Sequence, residues 1–423
     1  MDSKTIALAV FIATYVFFII LPQKRSIVAI VAVFLLLITG TLEPVDAFVN
    51  GVNWNVMGIF VGMLVLAEAF MVSRFPAYLA EIIVNRAPNT TFSILFICAM
   101  TSVLSAFVEN VATVLIVAPV ALSLAKKLNI NPINMMTAIA ISSNLQGCAT
   151  LIGDPPSMLL GGFAKMTFMD FFFYQGKPSI FFAVQLGAIT SCIYLYFVFY
   201  KHKHKVELVR VEQVQSWIPS VLLTLLILAL AVSSFFDKGF SFLAGAICMA
   251  FALVTLVWQY LWHKENILAN LRKLDWDTTL FLMGVFIIVE SLTQTGWITR
   301  VSDFLSNQVG DNVLFGYTLL VVMSVVVSGF VDNVPYLAAM LPVAIQMSEK
   351  LNFSPALLLF GLLIGASLGG NLTPIGASAN IVACGILKKE GYVVSFPQFM
   401  KISVPFTIIA VIPAAVFVWF IWS

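Results

Sequence analysis

Two stretches decide the fold: Gly147-Cys148-Ala149-Thr150-Leu151-Ile152-Gly153-Asp154-Pro155-Pro156 and Gly369-Gly370-Asn371-Leu372-Thr373-Pro374-Ile375-Gly376. Each interrupts a long apolar segment. Neither continues a helix, because proline removes a backbone donor and clashes with the preceding turn. Counting from Ile133, the first break follows roughly 21 Å of helix at about 1.5 Å per residue. That depth lies well inside about 30 Å of hydrocarbon. Interrupted segments at matching positions of two halves are the sequence mark of a transporter's binding region.

Working outward, the second half falls on the first in one register. Trp54 and Glu68 meet Trp276 and Glu290 at an offset of 222 (276−54, 290−68). Glu109-Asn110 meets Asp332-Asn333, and Pro119 meets Pro342, at 223 (332−109, 342−119). Leu128-Asn129-Ile130-Asn131-Pro132 falls on Leu351-Asn352-Phe353-Ser354-Pro355, and Gly147, Thr150, Ile152 and Gly153 fall on Gly370, Thr373, Ile375 and Gly376. A register kept over this distance is an internal repeat.

The composition sets the class. Of 423 residues, 61% are hydrophobic and 10% charged, against about 25% charged in soluble domains. Apolar runs near 20 residues recur throughout, so the spacing predicts a membrane protein from end to end. The run from Thr5 to Leu21 lacks a small-residue cleavage site and is expected to be the first span. A net charge of +2 without basic–aromatic tracts gives no case for nucleic acid. Five cysteines (Cys98, Cys148, Cys192, Cys248, Cys384), odd in number and without CxxC spacing, give none for a disulfide framework or zinc. His202, His204 and His263 sit beside lysines in loops, as on a solvated face. No HExxH, GxSxG or Walker motif is present, so the chain is not expected to be an enzyme and needs no cofactor.

Lysine and arginine in short loops mark the cytoplasmic side: Lys24/Arg25, Lys126/Lys127, Lys201 to Lys205, Lys264 with Arg272/Lys273, and Lys388/Lys389. The loop 40–54 carries Glu43 and Asp46 and belongs outside. This predicts five crossings per half, over 5–22, 25–41, 55–72, 133–165 and 178–200, then 216–236, 239–261, 277–294, 355–388 and 400–422. An odd number inverts the second unit. The expected fold is an all-α polytopic membrane protein of two inverted repeats, 1–200 and 216–423, joined by a cytoplasmic linker 201–215. Both termini are expected outside, in the inner (plasma) membrane.

Segments 91–127 and 312–350 are apolar yet begin and end on one side, with Glu109-Asn110 and Asp332-Asn333 at their middles. A re-entrant hairpin accounts for this; two tight full spans are the alternative. The broken helices are 133–165 and 355–388. Tips and breaks then converge near the midplane, where freed carbonyls suit a hard cation such as Na⁺ and half-helix N-termini attract an anion. Side chains expected there are Glu109, Asn110, Ser142, Ser143, Asn144, Gly147, Thr150, Gly153, Asp154 and Ser157. The second half contributes Asp332, Asn333, Ser367, Gly370, Asn371, Thr373, Gly376, Ser378 and Asn380. An ionisable group at this depth is a functional candidate by default, so Glu109, Asp154 and Asp332 are expected to couple H⁺ or Na⁺, with helix capping the plainer role. Glu68 and Glu290 are expected in interhelical polar contacts, and Phe171-Phe172-Phe173-Tyr174 in an interfacial belt.

The motif Ala149 to Pro156, the run Leu368 to Asn371 continuing through Pro374-Ile375-Gly376-Ala377-Ser378-Ala379-Asn380, and Asp332-Asn333-Val334-Pro335 resemble the ArsB/NhaD permeases of the ion transporter superfamily. Within it the pink-eyed dilution (P) protein branch is nearest, and the divalent anion/sodium symporters are distant kin. The resemblance covers nearly the whole chain. It implies an elevator mechanism, a homodimeric scaffold, and a small inorganic or organic ion held between tips and breaks. Two residues depart from the pattern: Ser157 stands where Asn usually follows the prolines, and Glu109 where Asp is usual. The expected function is secondary active transport coupled to H⁺ or Na⁺; an anion or dicarboxylate/sodium symporter of this fold, or a channel, is the competing class.

Overall fold

The computed structural model describes residues 2–201, 212–237, 239–264, 266–310 and 312–423. Most of the linker, with His202 and His204, lies outside the described residues. The chain is almost wholly helical. The helices of the first half are α1 (Ser3–Ile20), α2 (Arg25–Ile38), α3 (Trp54–Val72), α4 (Phe75–Arg86), α5 (Thr90–Ser105), α6 (Asn110–Leu128), α7 (Ile133–Gly147), α8 (Pro155–Ala164) and α9 (Ile180–Phe199). Then come α10 (Ile218–Ser233), α11 (Leu243–His263), α12 (Ile267–Lys273), α13 (Trp276–Gln294), α14 (Trp297–Val309), α15 (Val313–Ser328), α16 (Asn333–Lys350), α17 (Pro355–Gly369), α18 (Ser378–Lys389) and α19 (Phe396–Trp422). Among the described residues, eight helical spans are long and apolar enough to cross a membrane, α17 being counted through Leu372.

Helix starts repeat because their caps repeat. Asn53 accepts from the Val56 amide at α3, and Asp275 from the Thr278 amide at α13. Asn89 and Asn312 cap α5 and α15; Glu109 and Asp332 cap α6 and α16. A cap satisfies an amide that the first turn leaves without an intrahelical partner. Both breaks are present: α7 ends at Gly147 before α8, and α17 ends at Gly369 before α18.

Packing between the halves is reciprocal. Helix α2 lies on α13 as α11 lies on α3; α6 lies on α18 as α16 lies on α8; α9 faces α19. Exchange of partners of this kind is what an approximate two-fold axis between the halves produces. Helices α1, α2, α3, α10, α11 and α13 form one layer, and α5–α9 with α15–α19 the other. In the second layer α7 and α17 are buried almost throughout, α17 as a helix apolar on every face should be. Small residues permit the closest crossings: a Cβ on Gly361, Gly365 or Gly369 of α17 would strike Tyr317, Ser324 or Val325 of α15 within 2.6 Å.

Three expectations change. Helices α4, α12 and α14 are short segments that hydropathy did not mark. The hairpin arms α5 and α6 have 16 and 19 residues, longer than half a membrane; Pro119 lies within α6 and Pro342 within α16. Phe171 is fully buried rather than part of a lipid-facing belt. The chain turns back after it through a two-stranded hairpin, Phe173–Tyr174 with Lys177–Pro178, which leaves Phe173 exposed and sets Tyr174 against Trp422.

Candidate functional site

Each break meets a hairpin tip, and the meeting is made of backbone oxygen. A Cβ added to Gly153 would lie 2.2 Å from the Gly147 carbonyl oxygen, 2.9 Å from that of Ser105 and 3.0 Å from that of Ala106. In the second half a Cβ on Gly376 would lie 2.6 Å from the Gly370 oxygen, 2.9 Å from that of Gly329 and 3.1 Å from that of Ser328. Every member of one cluster matches a member of the other at the same offset of 223 (376−153, 370−147, 328−105, 329−106). The glycines are required for close approach: no side chain fits among those oxygens. The Thr150 hydroxyl donates to the Ala106 carbonyl, and that of Thr373 to the Gly329 carbonyl at 2.5 Å, fixing each tip on its break.

Between the clusters runs a lattice of buried amides. Asn144 Nδ2 donates to Asn371 Oδ1 and Asn380 Oδ1, each at 2.9 Å. Asn371 donates to the Ile141 carbonyl at 3.1 Å, and Asn380 to those of Gly370 at 3.0 Å and Thr373 at 2.9 Å. Asn110, on the first tip, reaches Asn144 at 3.4 Å and accepts from Ser105 at 2.6 Å. Ser143 joins Ser105 at 2.9 Å and donates to the Asn110 carbonyl at 3.2 Å. Polar groups this deep are tolerated because nearly all are satisfied. The two buried exceptions nearest the breaks, among the described residues, are Asp154 Oδ2 and Ser367 Oγ.

A small cavity of about 50 Å³ lies beside this lattice, with Glu109, Asn110, Asn144, Asp154, Asp332, Asn333 and Ser378 on its wall. The other expected residues stand behind it. Gly147, Thr150, Gly153, Ser157, Ser367, Gly370, Asn371, Thr373, Gly376 and Asn380 build the breaks, while the Ser142 carbonyl accepts from Ser102 on α5. Ser157 forms a capping box with Asp154: its amide donates to Asp154 Oδ1 at 2.9 Å, and its hydroxyl accepts from the Asp154 amide at 3.4 Å. Glu109 Oε2 accepts from the Ala112 amide at 3.1 Å, so the carboxylate does cap its helix.

The residue that sequence reading missed is Arg25. Its place in a short basic loop marks the cytoplasmic side, yet it lines the cavity. Its guanidinium donates to Asp332 Oδ2 and to Thr278 Oγ1, each at 2.8 Å, with Ser378 Oγ at 3.5 Å. Asp277 lies at 3.7 Å and the Phe281 ring centroid at 4.9 Å. Asp275 and Phe281 share the wall. The available signal was the repeat: Asp275 and Asp277 stand where the first half has Asn53 and Asn55 (275−53 and 277−55 are both 222), so acid replaces amide at one corner only. Glu290 bonds within its own helix, to Gln294 at 3.0 Å, rather than between helices.

The sequence model of the citrate transporter family matches residues 15–352 and again 244–423. The chain belongs to the citrate transporter family. An uncharacterized transporter of Mycobacterium tuberculosis is 27% identical over 98% of both chains. The P protein of Mus musculus is 25% identical over 89% of this chain and 55% of its own length, in keeping with the resemblance in the break motifs. Among solved structures, the YdaH transporter of Alcanivorax borkumensis superposes with a TM-score of 0.58 at 12% identity, covering 85% of this chain and 84% of its own. MtrF of Neisseria gonorrhoeae, described as one of a class of antimetabolite efflux pumps, gives 0.54 at 13%, covering 86% and 80%. The protein is thus a multi-pass membrane transporter and not an enzyme.

Proposed function

We propose that this family member is an ion-coupled secondary transporter of a small organic anion of the carboxylate class, with Na⁺ or H⁺ as the coupling ion. The carrying observation is the pair of matched carbonyl clusters beside a small, acidic cavity. Carbonyl oxygens released by broken helices are ligands for a hard cation, and half-helix N-termini at Pro155 and Ser378 favour an anion. Glu109, Asp154, Asp275 and Asp332 against the single Arg25 make the wall acidic. An anion enters such a site only with cations, which is the physical case for coupling. The family name supplies the carboxylate class.

A cavity of about 50 Å³ holds little more than a water, whose share of liquid volume is about 30 Å³. A carboxylate substrate therefore requires the tips and breaks to open, as in a carrier. Reciprocal packing and an odd crossing count support two inverted repeats, with the layer of α5–α9 and α15–α19 as the moving, elevator-like body. The tips meet breaks whose place in the sequence predicts mid-bilayer depth, which supports re-entrant hairpins despite their long arms. The family resemblance supports a homodimer in the plasma membrane. Uptake into proteoliposomes of citrate, a dicarboxylate, arsenite or Na⁺, with Na⁺ and pH gradients imposed separately, tests this reading. Accumulation of a carboxylate under one gradient is the expected result; carboxylate flux indifferent to both gradients would overturn it.

A further inference from the structure

We propose that Arg25 is a tethered cation that fills the ion position of the second hairpin tip in this conformation, and that a free monovalent cation takes its place on Asp332 when the tip leaves the α2–α13 face. The anchor of the guanidinium is one-sided. Thr278 at 2.8 Å, Asp277 at 3.7 Å and the Phe281 ring at 4.9 Å all belong to α13. Arg25 itself starts α2, which packs on α13 closely enough that a Cβ on Gly284 would lie 2.7 Å from Ala29 Cβ. Its reach out of that layer is to Asp332 at 2.8 Å and Ser378 at 3.5 Å. The charge therefore belongs to one layer and its partner to the other. Among the described residues, Asp332 otherwise accepts only the Val334 amide, at 3.0 Å through Oδ1. Separation of the layers strips Oδ2 of its cation, and a carboxylate left unpaired at membrane depth is costly.

The first half shows the same position without the tether. Ala29 packs on Gly284 as Cys248 packs on Gly62, so by that correspondence (248−29 is 219) Arg25 answers to Ala244 (25 plus 219). Alanine supplies no charge. On that side a buried carboxylate oxygen, Asp154 Oδ2, has no hydrogen-bond partner and belongs to a residue lining the same cavity. One half carries a protein cation on its tip carboxylate, and the other leaves its cavity carboxylates, Glu109 and Asp154, without an ion pair among the described residues.

The proposal rests on reading the cavity as the ion site, but its test needs no transport, so the two fail separately. The thermal unfolding midpoint of the full-length protein in detergent is measured in NaCl and in choline chloride at equal ionic strength, for wild type, R25M and R25M/D332N. In choline, R25M is expected to lower the midpoint by about 3 °C or more, and Na⁺ is expected to restore most of that loss. R25M/D332N is expected to lose the added Na⁺ response. An R25M protein with no larger Na⁺ response than wild type overturns the proposal, as does a response that persists in the double variant. If R25M yields no folded protein, R25M/D332N decides: recovery of folded protein supports the proposal and continued failure overturns it.

Discussion

The two hairpin tips hold equivalent places in the repeat and are secured differently. The first, at Glu109-Asn110, is tied inward: Asn110 bonds Ser105 and Asn144, and no side-chain bond joins that tip to the α1–α3 and α10–α13 layer among the described residues. The second, at Asp332-Asn333, is tied outward, through Arg25 on Asp332 and through the Tyr15 hydroxyl on the Pro335 carbonyl. The breaks differ in the complementary sense. Asp154 caps α8, whereas Ala377 stands before α18 with no side-chain cap. Where Ser157 serves a capping box, its counterpart Asn380 (157 plus 223) bonds back into the breaks. The two halves thus differ: one has a carboxylate at its break and a tip tied inward, the other a neutral break and a tip tethered to the α2–α13 face.

The largest expected effect tests what the halves still share. Gly153→Val and Gly376→Val drive a side chain into three carbonyl oxygens each, so both proteins should insert in the membrane and show uptake at background. Normal uptake by either would remove its carbonyl cluster from the transport path. A smaller pair sharpens the difference. In Gly147→Ala the added Cβ meets Asn110 Oδ1 at 2.3 Å, whereas in Gly370→Ala it meets the Gly376 oxygen at 2.9 Å. Uptake should therefore fall more for Gly147→Ala; equal losses would mean that the Asn110–Asn144 bond has no part in the difference.

These expectations show what was legible in the sequence. Glycine and proline inside apolar runs act locally, so both breaks and both tips could be read from residue identity, and the amides of the lattice lie in or beside those motifs. Arg25 was not legible, because a long cationic side chain at the start of a span looks the same whether it faces water or folds inward. Only the position of α13 decides, and that is a contact between residues some 250 apart (277−26 for Ser26 on Asp277). Phe171 misled for a related reason: an aromatic run at a helix end reads as an interface until the chain turns back over it. The short helices α4 and α14 were hidden because their apolar content is too low for a span.

Smaller effects concern stability. Asn380→Ser writes the first-half residue into the second half, and it removes two bonds to carbonyls and the acceptor used by Asn144. Buried groups left unsatisfied cost about 1–3 kcal/mol, so a lower unfolding midpoint is expected; an unchanged one would show that water or a neighbour satisfies the lattice. Least of all, Asn89→Ala and Asn312→Ala each delete one cap, for about 1 kcal/mol. Their midpoints should fall by similar amounts, and a clear inequality would show that the outer ends of the hairpins have diverged as the tips have.

The most direct test of the asymmetry is gradient-driven accumulation of the proposed carboxylate substrate in proteoliposomes containing Asp154→Asn. The amide keeps the Oδ1 acceptor that caps α8 and removes the charge on the unpartnered oxygen. The account predicts that accumulation against a substrate gradient is lost, while exchange of labelled for unlabelled substrate across the membrane survives. Accumulation at the wild-type level in Asp154→Asn would contradict it.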